Sequence, residues 1–232
     1  MLELLIALVL VLAPPPTPGA AADPGYYTYI VDPRATPIEL RYKGSLGDVA
    51  DAVARTGRRL VFATNGGMYH EDRTPVGLFV DDGRERAKLV LGASRGNFGW
   101  KPNGVFYVTR DGAAHVVTTE VYAGSPPRDV RWATQSGPSL LVDGVMHEGF
   151  APDSRHVNLR NGVGVLPDGR AAFVMSKGLV TFHAFASHFA ALGCKDALYF
   201  DGSVSLTYWP DGGISERGGD FGVIVVVVGP VR

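Results

Sequence analysis

Six Asp-Gly pairs divide this chain, and their spacing constrains its fold more than any other feature. The pairs begin at Asp82, Asp111, Asp143, Asp168, Asp201 and Asp211. Asp-Gly is a common two-residue turn between antiparallel strands, because both residues tolerate the left-handed backbone conformations that such turns require. Of the 232 residues, 30 are glycine, which fits a chain with many turns. The sequence therefore predicts a strand-rich fold.

The apolar runs beside these turns predict individual strands. Three full hairpins are expected to join 76–80 to 87–91, 104–109 to 113–119 and 162–166 to 170–176. Single strands are expected at 26–31, 60–64, 139–142 and 197–200. Residues 221–228 are continuously apolar and contain four consecutive valines, which indicates a strand buried on both faces rather than a membrane span.

Two principal helices are predicted among these strands, at 45–56 and 181–192. Ser45 and Asp48 have the spacing of a capping box, and Thr181 is placed to cap the second helix. Apolar side chains line one side of each segment at helical spacing. The predicted fold class is α+β: a strand-rich single domain with a mixed, mostly hairpin-linked sheet and these two helices.

The first 22 residues are predicted to be a secretory signal peptide. Residues 1–12 are almost wholly apolar, and three alanines at 20–22 form a small-residue cleavage site. An uncleaved anchor is the alternative, because the segment carries Glu3 but no Lys or Arg. We expect residues 23–232 to form one domain, located in the periplasm or outside the cell and free of the membrane once the signal is removed.

Charge and cysteine usage exclude several classes of function. The net charge of −1 gives no electrostatic basis for a nucleic-acid partner. Cys194 is the only cysteine, so no intramolecular disulfide can form, and its apolar neighbours indicate a buried side chain rather than a nucleophile. His183 and His188 are five residues apart, so they do not share a helix face as zinc ligands would. No metal ligands and no cofactor are predicted, while a requirement for a divalent metal stays open.

The fifth Asp-Gly pair, Asp201-Gly202, differs from the others in its surroundings. It follows the apolar run at 197–200 and precedes Ser203, whereas pairs such as Asp82-Gly83 and Asp168-Gly169 have polar neighbours. A carboxylate, a glycine and a hydroxyl at the end of a buried strand are typical of a functional site, since glycine permits close approach of a ligand or backbone. An ordinary hairpin turn is the alternative, and the sequence leaves both interpretations open.

Five polar clusters place an amide, a hydroxyl or a charge beside a glycine. They are Asn65-Gly66-Gly67, Pro102-Asn103-Gly104, Gln135-Ser136-Gly137-Pro138, Arg160-Asn161-Gly162 and Asp201-Gly202-Ser203. Each cluster alone is more often a turn than a binding site. Together they supply the converging amides and the guanidinium that sugar and phosphate ligands require.

In this order the five clusters resemble those of the phosphodiester glycosidase family, in its compact bacterial secreted branch. The resemblance runs from the first helix to Trp209, so it implies that 23–232 is one phosphodiester glycosidase-like domain. It also implies a hydrolase that cleaves a sugar-1-phosphodiester at the anomeric carbon. The expected partner is then a small-molecule or glycan phosphodiester substrate.

The resemblance leads to specific hypotheses for the site. Asp201 is predicted to be the catalytic carboxylate that meets the cationic transition state, and Arg160 is predicted to clamp the phosphate. The predicted substrate-binding residues are Asn65, Gly66, Gly67, Asn103, Ser136, Gly137, Asn161, Gly202 and Ser203. No second catalytic carboxylate is assigned, so retention or inversion is not predicted. The alternatives are a non-catalytic glycan- or peptidoglycan-binding envelope module and a metal-dependent phosphodiesterase.

Overall fold

The computed structural model describes residues 25–230, so the expected signal peptide lies outside the described residues. The strands are β1 (Tyr26–Val31), β2 (Ile38–Gly44), β3 (Arg58–Asn65), β4 (Phe79–Asp81), β5 (Arg84–Ala87), β6 (Gly104–Thr109), β7 (Ala114–Thr118), β8 (Val130–Ser136), β9 (Ser139–Val142), β10 (Val145–Met146), β11 (Asn161–Val165), β12 (Ala171–Ser176), β13 (Asp196–Tyr199), β14 (Thr207–Trp209), β15 (Ile214–Ser215) and β16 (Phe221–Pro230). The helices are α1 (Leu46–Arg55), α2 (Thr119–Gly124) and α3 (Phe182–Ala191). Within the described range, no helix has the length and apolar character needed to cross a membrane.

The strands form three sheets. Their orders are β1-β12-β11-β13-β9-β10, β15-β14-β3-β16-β2 and β5-β4-β8-β6-β7. All strand pairings between residues 25 and 230 are antiparallel. The predicted α+β class, the three hairpins and the two principal helices are confirmed. In place of the mixed sheet that we expected, the strands divide among three antiparallel sheets, and α2 is an additional short helix.

The three sheets meet in one central core built around phenylalanine rings. The ring of Phe173 on β12 lies 5.4 Å from that of Phe62 on β3 and 5.8 Å from that of Phe106 on β6. Each sheet therefore contributes one ring to the same contact group. Phe200, which follows β13, joins it with its ring 6.3 Å from that of Phe106. This burial anchors the backbone directly before Asp201.

Strand β16 explains the continuous apolar run near the end of the chain. Its odd-numbered valines, 223 to 227, belong to the central core. Its even-numbered residues, 224 to 228, pack in a second cluster with Leu46, Val49 and Val53 of α1. Because successive side chains in a strand point to opposite faces, a strand covered on both faces must be apolar throughout.

Both principal helices begin at the caps that the sequence predicts. The Asp48 N–H donates to Ser45 Oγ at 3.0 Å, and the Ser45 N–H donates back to Asp48 Oδ2 at 2.9 Å. At α3, the Ala184 N–H donates to Thr181 Oγ1 at 3.0 Å. These bonds satisfy backbone donors that the first turn of a helix leaves unpaired. Helix α3 packs against the first sheet, which includes β13, and so supports the strand that leads to Asp201.

Candidate functional site

The Asp201-Gly202 pair lies where the chain crosses from one sheet to another. Strand β13 ends at Tyr199 in the first sheet, and the next strand, β14, begins at Thr207 in the second sheet. The pair therefore does not join two paired strands, and the hairpin interpretation is wrong at this position. The crossing places a polar segment at the junction of two sheets, where ligands can approach from outside the core.

Gly202 is required for close packing rather than for a turn. A Cβ atom at this position would lie 2.2 Å from the carbonyl oxygen of Leu159 and 2.3 Å from the hydroxyl of Tyr199. The Gly202 N–H donates a short hydrogen bond to that same hydroxyl. Any side chain would displace one of these groups, so Gly202 fixes the backbone of the crossing segment against Tyr199.

Two buried asparagines hold the backbone of Asp201 from both sides. Asn161 Oδ1 accepts from the Asp201 N–H at 3.1 Å, while Asn65 Nδ2 donates to the Asp201 carbonyl oxygen at 3.0 Å. The asparagines are also joined to each other, because Asn161 Nδ2 donates to the Asn65 carbonyl oxygen at 2.8 Å. Both side chains are buried, and a satisfied buried polar network of this kind rigidifies the groups it contacts.

A second part of this polar scaffold lies beneath Phe200. Ser136 Oγ donates to the Phe200 carbonyl oxygen at 2.9 Å. Asn103 Nδ2 donates to the Phe98 carbonyl oxygen at 2.9 Å, and a Cβ atom at Gly137 would lie 2.6 Å from the Cβ of Asn103. These contacts bring the third polar cluster against the segment that carries Asp201 and pack the second cluster against the third.

The structure thus brings all five polar clusters together, but mostly on the buried side of the crossing segment. The side chains of Asn65, Asn103, Ser136 and Asn161 are at most 1% exposed. Gly66 and Gly67 are also buried. Their contacts support a role in positioning the Asp201 segment. Direct substrate binding by these residues, and by Gly137 and Gly202, stays a prediction.

Asp201 lines a cavity of about 570 Å³. The other lining residues are Tyr69, His70, Glu71, Arg73, Leu159, Ser203, Val204, Ser205, Leu206, Gly219, Asp220 and Phe221. Burial raises the pKa of Asp201, and hydrogen bonds from the backbone and hydroxyl of Ser203 oppose that shift. A carboxyl group with a raised pKa in a cavity is typical of a functional site.

Arg73 and His70, in the loop after β3, line the same cavity, and no sequence motif selects them. Arg73 Nε lies 2.8 Å from Asp220 Oδ2, and its guanidinium lies 5.3 Å from the ring centre of Tyr69. His70 lines the cavity beside them. Burial raises the pKa of Tyr69, and the charge of Asp201 raises it further. The lining thus combines three carboxyl groups, those of Glu71, Asp201 and Asp220, with the guanidinium of Arg73, which is paired with Asp220.

Arg160 lines a different cavity, of about 640 Å³. Its side chain is 1% exposed, and Nε donates to the Val180 carbonyl oxygen at 2.9 Å. The Phe182 ring covers the guanidinium, with 3.5 Å from Cζ to the ring centre. Burial lowers the pKa of Arg160, and the nearby Tyr199 hydroxyl opposes this shift. The guanidinium stays charged in this site, because an arginine side chain is not deprotonated in proteins.

The predicted acid and the predicted phosphate clamp therefore lie on two sides of one chain segment. Asn158 and Arg160 line the larger cavity, whereas Leu159 lines the cavity of Asp201, and the two linings share no residue. Tyr199 connects them, because its ring lies 5.6 Å from the Arg160 guanidinium and its hydroxyl bonds to Gly202. The joint contact of one ligand with both groups stays a prediction, and such a ligand must pass over residues 158–160.

Metal-ligating side chains do not gather in the part of the chain that the structure describes. Across residues 25–230, no three or more His, Cys, Asp or Glu side chains are grouped as a metal ion would require. The metal-dependent phosphodiesterase alternative therefore has no ligand set within this range, because such sites need several converging carboxylates or histidines.

The chain belongs to the phosphodiester glycosidase family, since its residues 58–223 match the model of that family. A relative from Escherichia coli K12, the uncharacterized protein YigE, is 31% identical over 195 residues. That alignment covers 80% of this chain and 75% of the relative. The family resemblance expected from the five polar clusters is thereby confirmed.

Solved structures show that the fold is shared as well. The catalytic domain of zebrafish N-acetylglucosamine-1-phosphodiester alpha-N-acetylglucosaminidase, auto-inhibited by its pro-peptide, has a TM-score of 0.61 at 13% identity. The match covers 90% of this chain and 83% of that one. A protein from Burkholderia pseudomallei K96243 described as exported has a TM-score of 0.58 at 13% identity, covering 87% and 73% of the two chains.

Proposed function

We propose that this protein is an exported hydrolase that cleaves a sugar-1-phosphodiester between the anomeric carbon and the phosphate. The reaction takes place in the cavity of Asp201. The observation that carries this proposal is the Asp201 carboxyl group itself, whose pKa is raised by burial and whose backbone is held by Asn65 and Asn161. Membership of the phosphodiester glycosidase family supports the reaction class.

The chemistry requires one well-placed carboxylate more than it requires a strong acid. Positive charge grows on the sugar as the glycosidic bond breaks, and the ionised carboxylate of Asp201 stabilises this charge, attacks the anomeric carbon or activates water. The departing phosphate already carries negative charge, with a second pKa of about 6, so it needs less protonation than a sugar alcohol would.

Two arginine side chains are candidates for contact with the phosphate, and they line different cavities. Arg73 lines the same cavity as Asp201, whereas Arg160 lines the neighbouring cavity beneath the ring of Phe182. We propose that Arg73 contacts the phosphate of the bond that breaks. The clamp that the sequence assigned to Arg160 then acts on a part of the substrate that lies across residues 158–160.

A catalytic role is favoured over the binding-module alternative by the setting of Asp201. A binding module would need amides and aromatic rings but no carboxyl group with a perturbed pKa. In this protein the carboxyl is partly buried, lies outside any hairpin and is backed by a hydrogen-bonded scaffold. These features orient a reactive group.

The test is the turnover of a sugar-1-phosphodiester by the Asp201→Asn variant. The methyl phosphodiesters of glucose 1-phosphate and of N-acetylglucosamine 1-phosphate are suitable first substrates. We expect kcat to fall by a factor on the order of a hundred or more, as for the loss of one catalytic electrostatic group. The Asp143→Asn variant makes the same change in an exposed Asp-Gly turn and should keep wild-type turnover. Equal rates for both variants would remove Asp201 from the mechanism.

A further inference from the structure

We propose that the cavity around Arg160 is a second carbohydrate subsite, which binds a sugar unit that carries a negatively charged group. This inference deepens the proposed function and rests on it for the position of the bond that breaks. The substrate is then an anionic glycan that occupies two adjacent cavities, rather than a small phosphodiester held in one.

The charge of the cavity is the first observation. Its lining contains Arg155, Arg160, His156 and His183 but no aspartate or glutamate. Among residues 25–230, no ion pair involves Arg155 or Arg160. A concave surface lined by charges of one sign focuses the field and attracts an anion.

The hydrogen bonding of Arg160 is the second observation. Nη1 is buried and has no hydrogen-bond partner, while Nη2 donates to the His156 carbonyl oxygen at 3.3 Å. Neutral carbonyl groups, the Tyr199 hydroxyl and the face of Phe182 surround a full positive charge, and none of them carries a negative charge. A buried charge without an opposite charge is costly, so a carboxylate or phosphate in this cavity would supply the missing partner.

The aromatic wall of the cavity indicates that the anion is attached to a sugar. Trp100 is 37% exposed, although its ring is fixed edge-to-face against Phe150 at 5.4 Å and against Phe182 at 5.6 Å. Such a ring offers a rigid apolar surface for the C–H face of a pyranose. Asn97 and Asn158 line the same cavity and supply amides for hydroxyl groups. An inorganic anion would use none of these features.

The position of the cavity links it to the reaction site. Asn158 and Arg160 line one cavity, while Leu159 between them lines the other. Along this segment, a single stretch of backbone thus separates the two cavities. A glycan that runs over it can place one unit beside Asp201 and its neighbour beside Arg160.

The binding test uses the full chain with Asp201→Asn, so that turnover does not remove the ligand. Methyl β-D-glucuronide and glucose 6-phosphate represent the two sources of negative charge, and methyl β-D-glucoside is the neutral match. By calorimetric titration, we expect at least one anionic sugar to bind about tenfold or more tightly than the neutral one, with affinity that falls as salt rises. Equal affinity for charged and neutral sugars would overturn the proposal.

Variants locate the binding site. We expect Arg155→Ala and Trp100→Ala each to weaken binding of the anionic sugar several-fold, and Arg160→Lys to weaken it because the planar fork is lost. Arg84→Ala, an exposed arginine on β5, is the matched control and should bind as the parent does. If Arg160→Lys does not fold, the two rim variants decide the result.

Two outcomes would contradict the inference without touching the proposed function. One is loss of binding in Arg73→Gln but not in Arg155→Ala, which would place the sugar in the cavity of Asp201. The other is inorganic phosphate binding as tightly as the sugars, which would make the cavity an anion site only. Conversely, tight binding of anionic sugars without turnover of any phosphodiester would support the subsite and remove the proposed reaction.

Discussion

The dipeptide Asp-Gly has two different structural roles in this protein. At four hairpins the glycine has a left-handed backbone: φ is 80° at Gly83, 84° at Gly112, 80° at Gly144 and 86° at Gly169. At Asp201-Gly202 the glycine is not left-handed, and its missing side chain instead makes room for Leu159 and Tyr199. The first role is conformational and local, whereas the second depends on groups that are distant in the chain.

The difference extends to the aspartates. The aspartates of the four hairpin turns lie at the surface, and the side chains of Asp111 and Asp168 accept hydrogen bonds from backbone N–H groups of their own turns. Asp201 is partly buried, and its backbone is bonded to Asn161 and Asn65, which are 40 and 136 residues away. Identical dipeptides thus acquire different chemistry from the contacts that the fold provides around them.

The largest expected effect is the difference between adding a methyl group at Gly202 and adding one at a turn glycine. Gly202→Ala places a Cβ against Leu159 and Tyr199, so we expect a loss of about 1–3 kcal/mol in unfolding free energy and a fall in kcat of roughly a hundredfold. Gly144→Ala has open space around its Cβ and should cost only about 1–2 kcal/mol of backbone strain, with kcat unchanged. Chemical denaturation and initial rates measure both quantities.

A double variant sharpens this comparison. Tyr199→Phe removes one of the two atoms that a Cβ at position 202 would meet, so it should restore part of the stability lost in Gly202→Ala. Tyr199→Phe should not restore the stability that is lost in Gly144→Ala. If Gly202→Ala instead behaves like Gly144→Ala in both measurements, the close-packing role of Gly202 is wrong.

The two roles also show what a sequence can reveal. Hairpins, helix caps and the doubly buried strand β16 depend on neighbouring residues, and each was predicted correctly. Strand β2 was missed because its charged residues conceal it: Glu39 is buried in the fold and paired with Arg58 at 3.1 Å. No local pattern signals that pairing.

For the candidate site, the sequence identified the residues but not their arrangement. Asp201 and Arg160 were selected by motif, yet their separation by residues 158–160 depends on how the first sheet meets its neighbours. Arg73 and Trp100 have no motif, and the cavities that they line form only after residues from several loops pack together. Burial decides whether a side chain contacts a ligand or supports the backbone. A sequence motif does not show which of its residues will be buried.

A smaller effect on kcat is expected from the scaffold that sets Asp201 apart from the turn aspartates. Asn161→Ala leaves the buried Asp201 N–H and Asn65 carbonyl oxygen without this partner, so we expect a loss of about 3 kcal/mol in unfolding free energy. We also expect kcat to fall about tenfold while KM changes less, because the carboxylate is misplaced. Removing the turn-stabilising side chain in Asp168→Ala should change stability less and leave kcat unaltered. Loss of stability with wild-type kcat in Asn161→Ala would show that the network supports the fold but not the reaction.

The smallest expected effects concern pH, where the two kinds of aspartate should have opposite signs. Burial disfavours the charged form of Asp201, so its contribution to stability is present below the ordinary carboxyl pKa and is lost as the pH rises through its raised pKa. The Thr109 hydroxyl lowers the pKa of Asp111, and the Arg170 N–H lowers that of Asp168. Their contributions are present above the ordinary pKa and are lost as the pH falls through the lowered values.

Stability and activity should therefore change in opposite directions around Asp201. Its ionised form is the reactive one, so kcat/KM should rise with pH through the same raised pKa at which Asp201 stops stabilising the fold. Asp201→Asn should increase the unfolding free energy at pH 7, whereas Asp168→Asn should decrease it. NMR titration of the carboxyl carbons measures the three pKa values directly. If Asp201 titrates in the same pH range as Asp111 and Asp168, burial does not raise its pKa. The site would then differ from the turns in geometry alone.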